Sequence, residues 1–122
     1  MVTVALRKER KVDYKNQIFN MDCIAGMTLL PDGCVDMVLT DLPYGMTDCR
    51  WDSIIPFDLL WKQLERVTKP DGAMVFTASQ PFTTKLIGSN QKNFRYCWYW
   101  VKNMVTGFPF AKFQPLRSVE DI

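Results

Sequence analysis

The chain has 122 residues, of which 48% are hydrophobic and 23% charged, and this composition is typical of one globular domain rather than a disordered chain. Lys and Arg total 15 and Asp and Glu total 13, so the formal net charge of +2 neither requires nor excludes a polyanionic partner. The sequence has no histidine, which excludes a histidine-based zinc site, catalytic triad or imidazole base.

The first residues mix charged and apolar side chains without a regular period, and we interpret residues 1–15 as an N-terminal arm. Its basic residues follow a short apolar stretch, whereas a secretory signal peptide places its charges first. The apolar runs elsewhere are far shorter than the roughly 18 residues of a membrane span. These patterns predict a cytoplasmic protein without a membrane partner.

The four cysteines include no C-x-x-C pair, so neither a zinc ribbon nor a thioredoxin-type site is predicted. Because nothing marks the chain as secreted, free thiols, mostly packed as small hydrophobes, are favoured over two disulfides. We expect no metal site.

Short apolar runs alternate with turn residues in the first part of the chain. Residues 17–21 are predicted to form a strand, after which Asp22 can cap a helix over residues 23–30. The sequence Pro31-Asp32-Gly33 ends that helix. Residues 35–40 form an apolar, β-branched run that fits a strand buried on both faces of a parallel sheet.

The clearest predicted element is a second helix, whose apolar residues recur at helical spacing. They are Phe57, Leu60, Trp61, Leu64 and Val67. We expect Asp52 or Ser53 to cap this helix, Pro56 to lie in its first turn and Pro70-Asp71-Gly72 to end it.

A strand, a helix and two further strands are predicted for the rest. Residues 73–78 fit a buried strand, and Ser79 can cap a helix after it. Aromatic and β-branched content predicts a strand over residues 94–101. Residues 102–117 are expected to form an irregular loop, and residues 118–122 the start of another strand.

This alternation of strands and helices is typical of an α/β domain with a mostly parallel sheet. Ligands of open α/β sheets bind beyond the carboxyl ends of the strands, which directs attention to Asp22, to residues 41–45 and to residues 79–82. The second group combines a carboxylate, a proline turn and an aromatic ring. The carboxylate and a turn carbonyl can accept two N–H bonds from a planar amine while Tyr44 stacks on its ring. A nucleobase must leave the duplex to bind in this way.

These motifs resemble those of the amino-methylating DNA methyltransferases, in which an acidic or polar residue, two prolines and an aromatic residue follow a strand. The corresponding residues here are Asp41-Leu42-Pro43-Tyr44. The resemblance covers roughly residues 16–122 through ordered short motifs at residues 20–23, 30–45, 51–52, 55–57, 60–61, 69–73, 79–83, 100–103, 106–108 and 115–118. It is most similar to a subgroup, frequent in bacteriophages and prophages, whose catalytic motif precedes the cofactor motif.

The resemblance implies a partial, incomplete Rossmann-like class I methyltransferase sheet with flanking helices. It implies methyl transfer from S-adenosylmethionine to the exocyclic amine of a flipped base in double-stranded DNA. An acidic first residue in the motif is associated with adenine as the target base more than with cytosine. Asp41 would accept one hydrogen bond of the amine, the carbonyl of Leu42 or Pro43 would accept the second, and Tyr44 would stack on the base. These residues are the predicted catalytic set.

For the cofactor, the resemblance implies contacts from Asp22, Thr40 and Asp41, with Asp22 near the adenosine end. The six glycines include no G-x-G, so the family's cofactor motif would come beyond residue 122, and we expect the family's target-recognition region to be missing from this chain as well. We therefore expect residues 16–122 to be the catalytic-motif half of a methyltransferase domain that binds S-adenosylmethionine weakly and is inactive alone. Its expected partners are the missing half or a second copy, and double-stranded DNA, in a bacterial or phage-infected cell.

Two other functions fit the same residues. The chain could be a non-catalytic remnant that binds nucleic acid or serves in assembly, or a methyltransferase for cytosine, RNA or a protein amide. Asp41 could cap a turn, Asp22 could cap only its helix, and Tyr44 could be ordinary core. The family usually has proline where this chain has Leu42, so we expect Leu42→Pro to keep or raise activity.

Overall fold

The structure is a computed structural model that describes residues 14–122. Its elements follow one another as α1 (Cys23–Thr28), β1 (Val35–Asp41), α2 (Phe57–Val67), β2 (Thr68–Thr77), α3 (Phe82–Ser89), β3 (Tyr99–Thr106), a 3-10 turn (Phe108–Phe110) and β4 (Arg117–Asp121). The predicted α/β class is confirmed at this level. The predicted N-terminal arm lies outside the described residues, apart from Tyr14 and Lys15.

The strands form two pairs that meet at one bridge. β1 and β2 are parallel, with α2 as the crossover between them, and β3 and β4 are antiparallel. The backbones of Ala78 and Asp121 exchange hydrogen bonds of 2.9 and 3.1 Å in an antiparallel bridge, which joins the end of β2 to the end of β4. The expectation of a mostly parallel sheet therefore holds for β1 and β2, whereas β4 runs against its neighbours.

Helices α2 and α3 cover one face of the parallel pair. The apolar stripe predicted for α2 is confirmed, because Leu60, Leu64 and Val67 are buried. The buried cluster consists of Leu42, Leu60, Leu64, Ala78, Phe82 and Leu86. Burying a large apolar side chain contributes about 1.5–3 kcal/mol to the free energy of unfolding. Because Leu42 and Ala78 directly follow β1 and β2, the cluster holds the carboxyl ends of both strands against the helices.

The predicted strand over residues 17–21 is wrong. These residues are irregular and exposed, and Ile18 is 99% exposed. A strand needs a partner for its backbone N–H and C=O groups, and none of the strands within residues 14–122 pairs with this segment. The helix after it is confirmed at its start, where the carboxylate of Asp22 accepts a hydrogen bond of 2.9 Å from the amide of Ala25.

The predicted caps of the two later helices are also wrong. Pro56 directly precedes α2 and Pro81 directly precedes α3, and neither helix has a side-chain cap. Ser79 contributes only its carbonyl, which accepts a hydrogen bond of 3.2 Å from the amide of Thr83. Proline supplies the backbone conformation needed at a helix start without a side-chain acceptor, and the polar residues before it are left for other contacts.

Two further boundaries differ from those predicted. The Pro70-Asp71-Gly72 sequence does not end α2 but lies inside β2, where a register shift opposite Val35 and Met37 accommodates it. β3 begins at Tyr99 rather than at residue 94 and continues into the predicted loop, because its residues pair with β4. The partner strand, rather than local composition, sets these limits.

The cysteines occur as free thiols, with Cys23 and Cys49 exposed and Cys34 and Cys97 half-buried. The expectation that most of them pack as small hydrophobes is therefore wrong, since two of the four are exposed and the other two are only half-buried.

Candidate functional site

A cavity of about 800 Å³ opens at the carboxyl end of β1. Its walls come from the loop after β1, between Asp41 and Asp52, and from the segment between Thr106 and Arg117. Its volume is within the range of about 300–1,000 Å³ that ligand sites occupy. A smaller cavity of about 290 Å³ lies between α3, β2 and residues 93–98, and its walls are mostly apolar. The predicted catalytic residues, 41–44, line the larger cavity.

Asp41 is held in place by two hydroxyl groups. Its Oδ1 accepts a hydrogen bond of 2.7 Å from the hydroxyl of Tyr44 and one of 2.5 Å from the hydroxyl of Thr77. The parallel register that sets Asp41 opposite Thr77 makes the second contact possible. Among residues 14–122, no donor reaches Oδ2 of Asp41, so this oxygen can accept hydrogen bonds from a ligand in the cavity.

Tyr44 connects this carboxylate to the core. Its ring stacks on Phe82 with a centroid distance of 5.0 Å and an angle of 25° between the planes. Burial raises the pKa of Tyr44 to about 12, and its hydrogen bond with Asp41 acts in the same direction. The phenol is therefore protonated at neutral pH and donates to Asp41. One face of the ring is covered by Phe82, while Tyr44 also lines the cavity.

Leu42 and Pro43 complete the predicted catalytic set and also line the cavity. The side chain of Leu42 is only 8% exposed and belongs to the buried cluster. The buried leucine side chain thus anchors the loop after β1 in the core, and the smaller proline ring could not fill the same volume. The expectation that Leu42→Pro keeps or raises activity stays a prediction, and the burial of Leu42 argues against it.

The other two predicted cofactor residues lie outside this cavity. Asp22 caps α1, where its carboxylate is engaged by the amide of Ala25. Thr40 pairs with Phe76 and, because successive residues of a strand point to opposite faces, it lies on the face away from Asp41. The structure thus brings residues 41–44 together, and the cofactor roles of Asp22 and Thr40 stay predictions.

Asp52 closes the loop that forms one wall. Its carboxylate accepts hydrogen bonds from the amides of Gly45 (2.8 Å), Met46 (2.9 Å) and Thr47 (2.7 Å) and from the Thr47 hydroxyl (2.7 Å). Gly45 has φ +66°, and a Cβ there would lie 2.9 Å from Ile54. No sequence pattern signals hydrogen bonds from three backbone amides, so this role of Asp52 is not predictable from the sequence, which favours Asp52 or Ser53 as the cap of α2.

The pKa of Asp52 is lowered to about 2, first by the Thr47 hydroxyl and then by the Gly45 amide. Its usual value is near 3.8, so ionised Asp52 stabilises the folded loop at neutral pH, and this contribution is lost as the pH falls from about 4 to about 2. We expect Asp52→Asn to lower the melting temperature by a constant amount above this window, and by a shrinking amount within it. Thermal melting of both proteins across this pH range measures the difference.

Asp48→Asn is the matched control for this prediction, since Asp48 is an exposed carboxylate in the same loop. It should leave the melting temperature unchanged throughout. A difference between wild type and Asp52→Asn that stays constant down to about pH 2 would contradict the assigned role.

Aromatic and basic side chains form the remainder of the cavity wall. Trp51, Phe110 and Phe113 line it and are 74%, 58% and 86% exposed, and Arg117 lies beside them. Such a wall suits a planar, aromatic ligand.

Within residues 14–122, no group of three or more Cys, Asp or Glu side chains is arranged to hold a metal ion. The helices of this part of the chain are all too short or too polar to cross a membrane. No protein-family model matches the chain, and no curated protein is significantly similar to it.

Proposed function

We propose that this chain carries the base-binding, catalytic-motif part of an S-adenosylmethionine-dependent DNA amino-methyltransferase that acts on adenine. The proposal rests chiefly on Asp41, a carboxylate at the end of a parallel strand with one oxygen held by two hydroxyls. Its second oxygen has no hydrogen-bond donor among residues 14–122, and Asp41 lines a cavity with aromatic walls. The parallel β1–α2–β2 unit supports the proposed Rossmann-like sheet.

The residues of the loop after β1 would orient the amine of an extruded base. One N–H donates to Oδ2 of Asp41, and the second donates to the carbonyl of Leu42 or Pro43. The nitrogen lone pair then points away from both acceptors. As positive charge develops on this nitrogen in the transition state, the hydrogen bond to Asp41 strengthens, and Tyr44 and Thr77 keep the carboxylate from rotating.

S-adenosylmethionine, when bound, supplies an electrophilic methyl group on a sulfonium centre. A cavity lined by carboxylate groups and several aromatic rings fits a sulfonium cation, since both attract positive charge. Of the residues predicted to hold the cofactor, Asp41 is the one that lies in this cavity, so Asp41 would contact the methyl end. Duplex DNA and a further copy or segment of protein remain the proposed partners.

The contact between Asp41 and the amine can be tested by binding alone. Labelled oligothymidylates carrying one central adenine, or one central purine that lacks the amine, are titrated with the chain. We expect the adenine strand to bind about 10-fold more tightly, because a hydrogen bond to a charged group contributes about 1.5–3 kcal/mol. Asp41→Ala should erase this preference.

Asp36→Ala serves as the control, since Asp36 is an exposed carboxylate near the other end of β1. It should retain the preference for adenine. A non-catalytic nucleic-acid-binding module predicts equal binding of both strands by the wild type, and that result would count against the proposed function.

A further inference from the structure

Three exposed aromatic rings line the cavity in addition to Tyr44. Trp51 comes from the loop after β1, whereas Phe110 and Phe113 come from the segment between β3 and β4. Their exposed fractions are 74%, 58% and 86%. Rings grouped around one cavity and left this exposed are typical of a binding surface.

The cavity is larger than the proposed base requires. Its volume of about 800 Å³ is at the upper end of sites that hold whole drug-sized ligands, whereas a nucleobase is a single planar ring system. A base held at Asp41 therefore leaves room along the wall that carries Phe110 and Phe113. The nucleotides next to that base in the strand would occupy this room.

The charges around the rings favour a polyanion over an apolar protein surface. Residues 107–117 include Lys112 and Arg117 and no acidic residue, and Arg50 directly precedes Trp51. Two carboxylates also line the cavity: Asp52 is engaged by N–H and O–H donors of its own loop, and Asp41 is the carboxylate assigned to the amine of the base. Basic residues interleaved with exposed rings bind the backbone and bases of a single strand.

We propose that this aromatic wall, formed by Trp51, Phe110 and Phe113, binds single-stranded DNA by stacking on the nucleotides that flank the base at Asp41. This inference rests on the proposed function and adds to it how the unpaired nucleotides next to the extruded base are bound. Rings can stack only on bases that are not already stacked on one another, and a duplex must first be opened at a cost of a few kcal/mol. The chain therefore binds an unpaired strand more tightly than the same sequence in a duplex.

The test is a fluorescence anisotropy titration of the full chain against a labelled single strand of about 12 nucleotides, and against the same strand paired with its complement. We expect the single strand to bind at least about 10-fold more tightly. Trp51→Ala, Phe110→Ala and Phe113→Ala should each weaken single-strand binding by roughly 5- to 100-fold. Lys112→Ala should reduce the slope of log affinity against log salt concentration by about 0.7.

Phe108→Ala is the matched control, because Phe108 is 76% exposed in the same segment but does not line the cavity. It should bind like the wild type, and thermal melting should show all variants folded. Equal affinity for duplex and single strand, or an equal loss in Phe108→Ala, would overturn the inference. So would sedimentation showing that the three rings are required for self-association but not for DNA binding.

The same titrations distinguish a failure of this inference from a failure of the proposed function. Ring-dependent binding of single strands without a preference for adenine over purine would support the aromatic wall and contradict the amine contact. A preference for adenine that depends on Asp41, together with unaltered binding in Phe110→Ala and Phe113→Ala, would overturn the aromatic wall alone.

Discussion

In a methyltransferase that contains this chain together with a cofactor-binding segment, replacing Asp41 by alanine should reduce methyl transfer by at least roughly 100-fold. The reason is geometric, because Asp41 would align the amine with the methyl donor and would stabilise charge that develops only in the transition state. DNA binding should be affected much less, since the aromatic wall and the basic residues do not depend on Asp41. Incorporation of labelled methyl groups into duplex DNA measures the first effect.

The fold should tolerate this substitution. Asp41 is exposed, and the Tyr44 and Thr77 hydroxyls lie 3.3 Å apart. When the carboxylate is removed, Tyr44 can therefore still donate a hydrogen bond to Thr77. The cost to unfolding should therefore be close to that of one hydrogen bond, about 1 kcal/mol. If Asp41→Ala melts normally and still methylates at a near wild-type rate, Asp41 is a structural cap and the proposed role is wrong.

The parts of the site that sequence could predict are those with local signals. A β-branched run that ends in Asp41, followed by Pro43 and Tyr44, predicts a strand end, a turn and an aromatic side chain within a few residues. The helical spacing of Leu60 and Leu64 similarly predicts the buried face of α2. Each of these predictions needs only the pattern of neighbouring residues.

The contacts that sequence could not predict join distant segments. Thr77 reaches Asp41 because a register shift in the β1–β2 pair sets these residues opposite each other, and no local pattern encodes that shift. Asp52 binds amides seven, six and five residues earlier, so its acceptor role depends on the loop path. The limits of β3 follow from its pairing with β4, where Trp100 lies opposite Glu120.

Leu42 anchors the loop after β1 in the buried cluster. Because its side chain is 8% exposed within the buried cluster, Leu42→Ala should lower the free energy of unfolding by about 2–5 kcal/mol, a large part of the about 5–15 kcal/mol that stabilises a typical domain. Leu42→Pro should cost at least as much, since the ring cannot fill the same volume and the backbone N–H is lost.

Urea denaturation compares these variants with Leu59→Ala, a matched control because Leu59 is 51% exposed on α2 and should lose less than about 1 kcal/mol. The functional consequence follows from the same packing. A loop released from the core no longer fixes the carbonyl that would accept the second N–H of the amine, so Leu42→Pro should also weaken the preference for adenine over purine. If Leu42→Pro unfolds at or above the wild-type urea midpoint and keeps that preference, the turn rather than the buried side chain orients the acceptors.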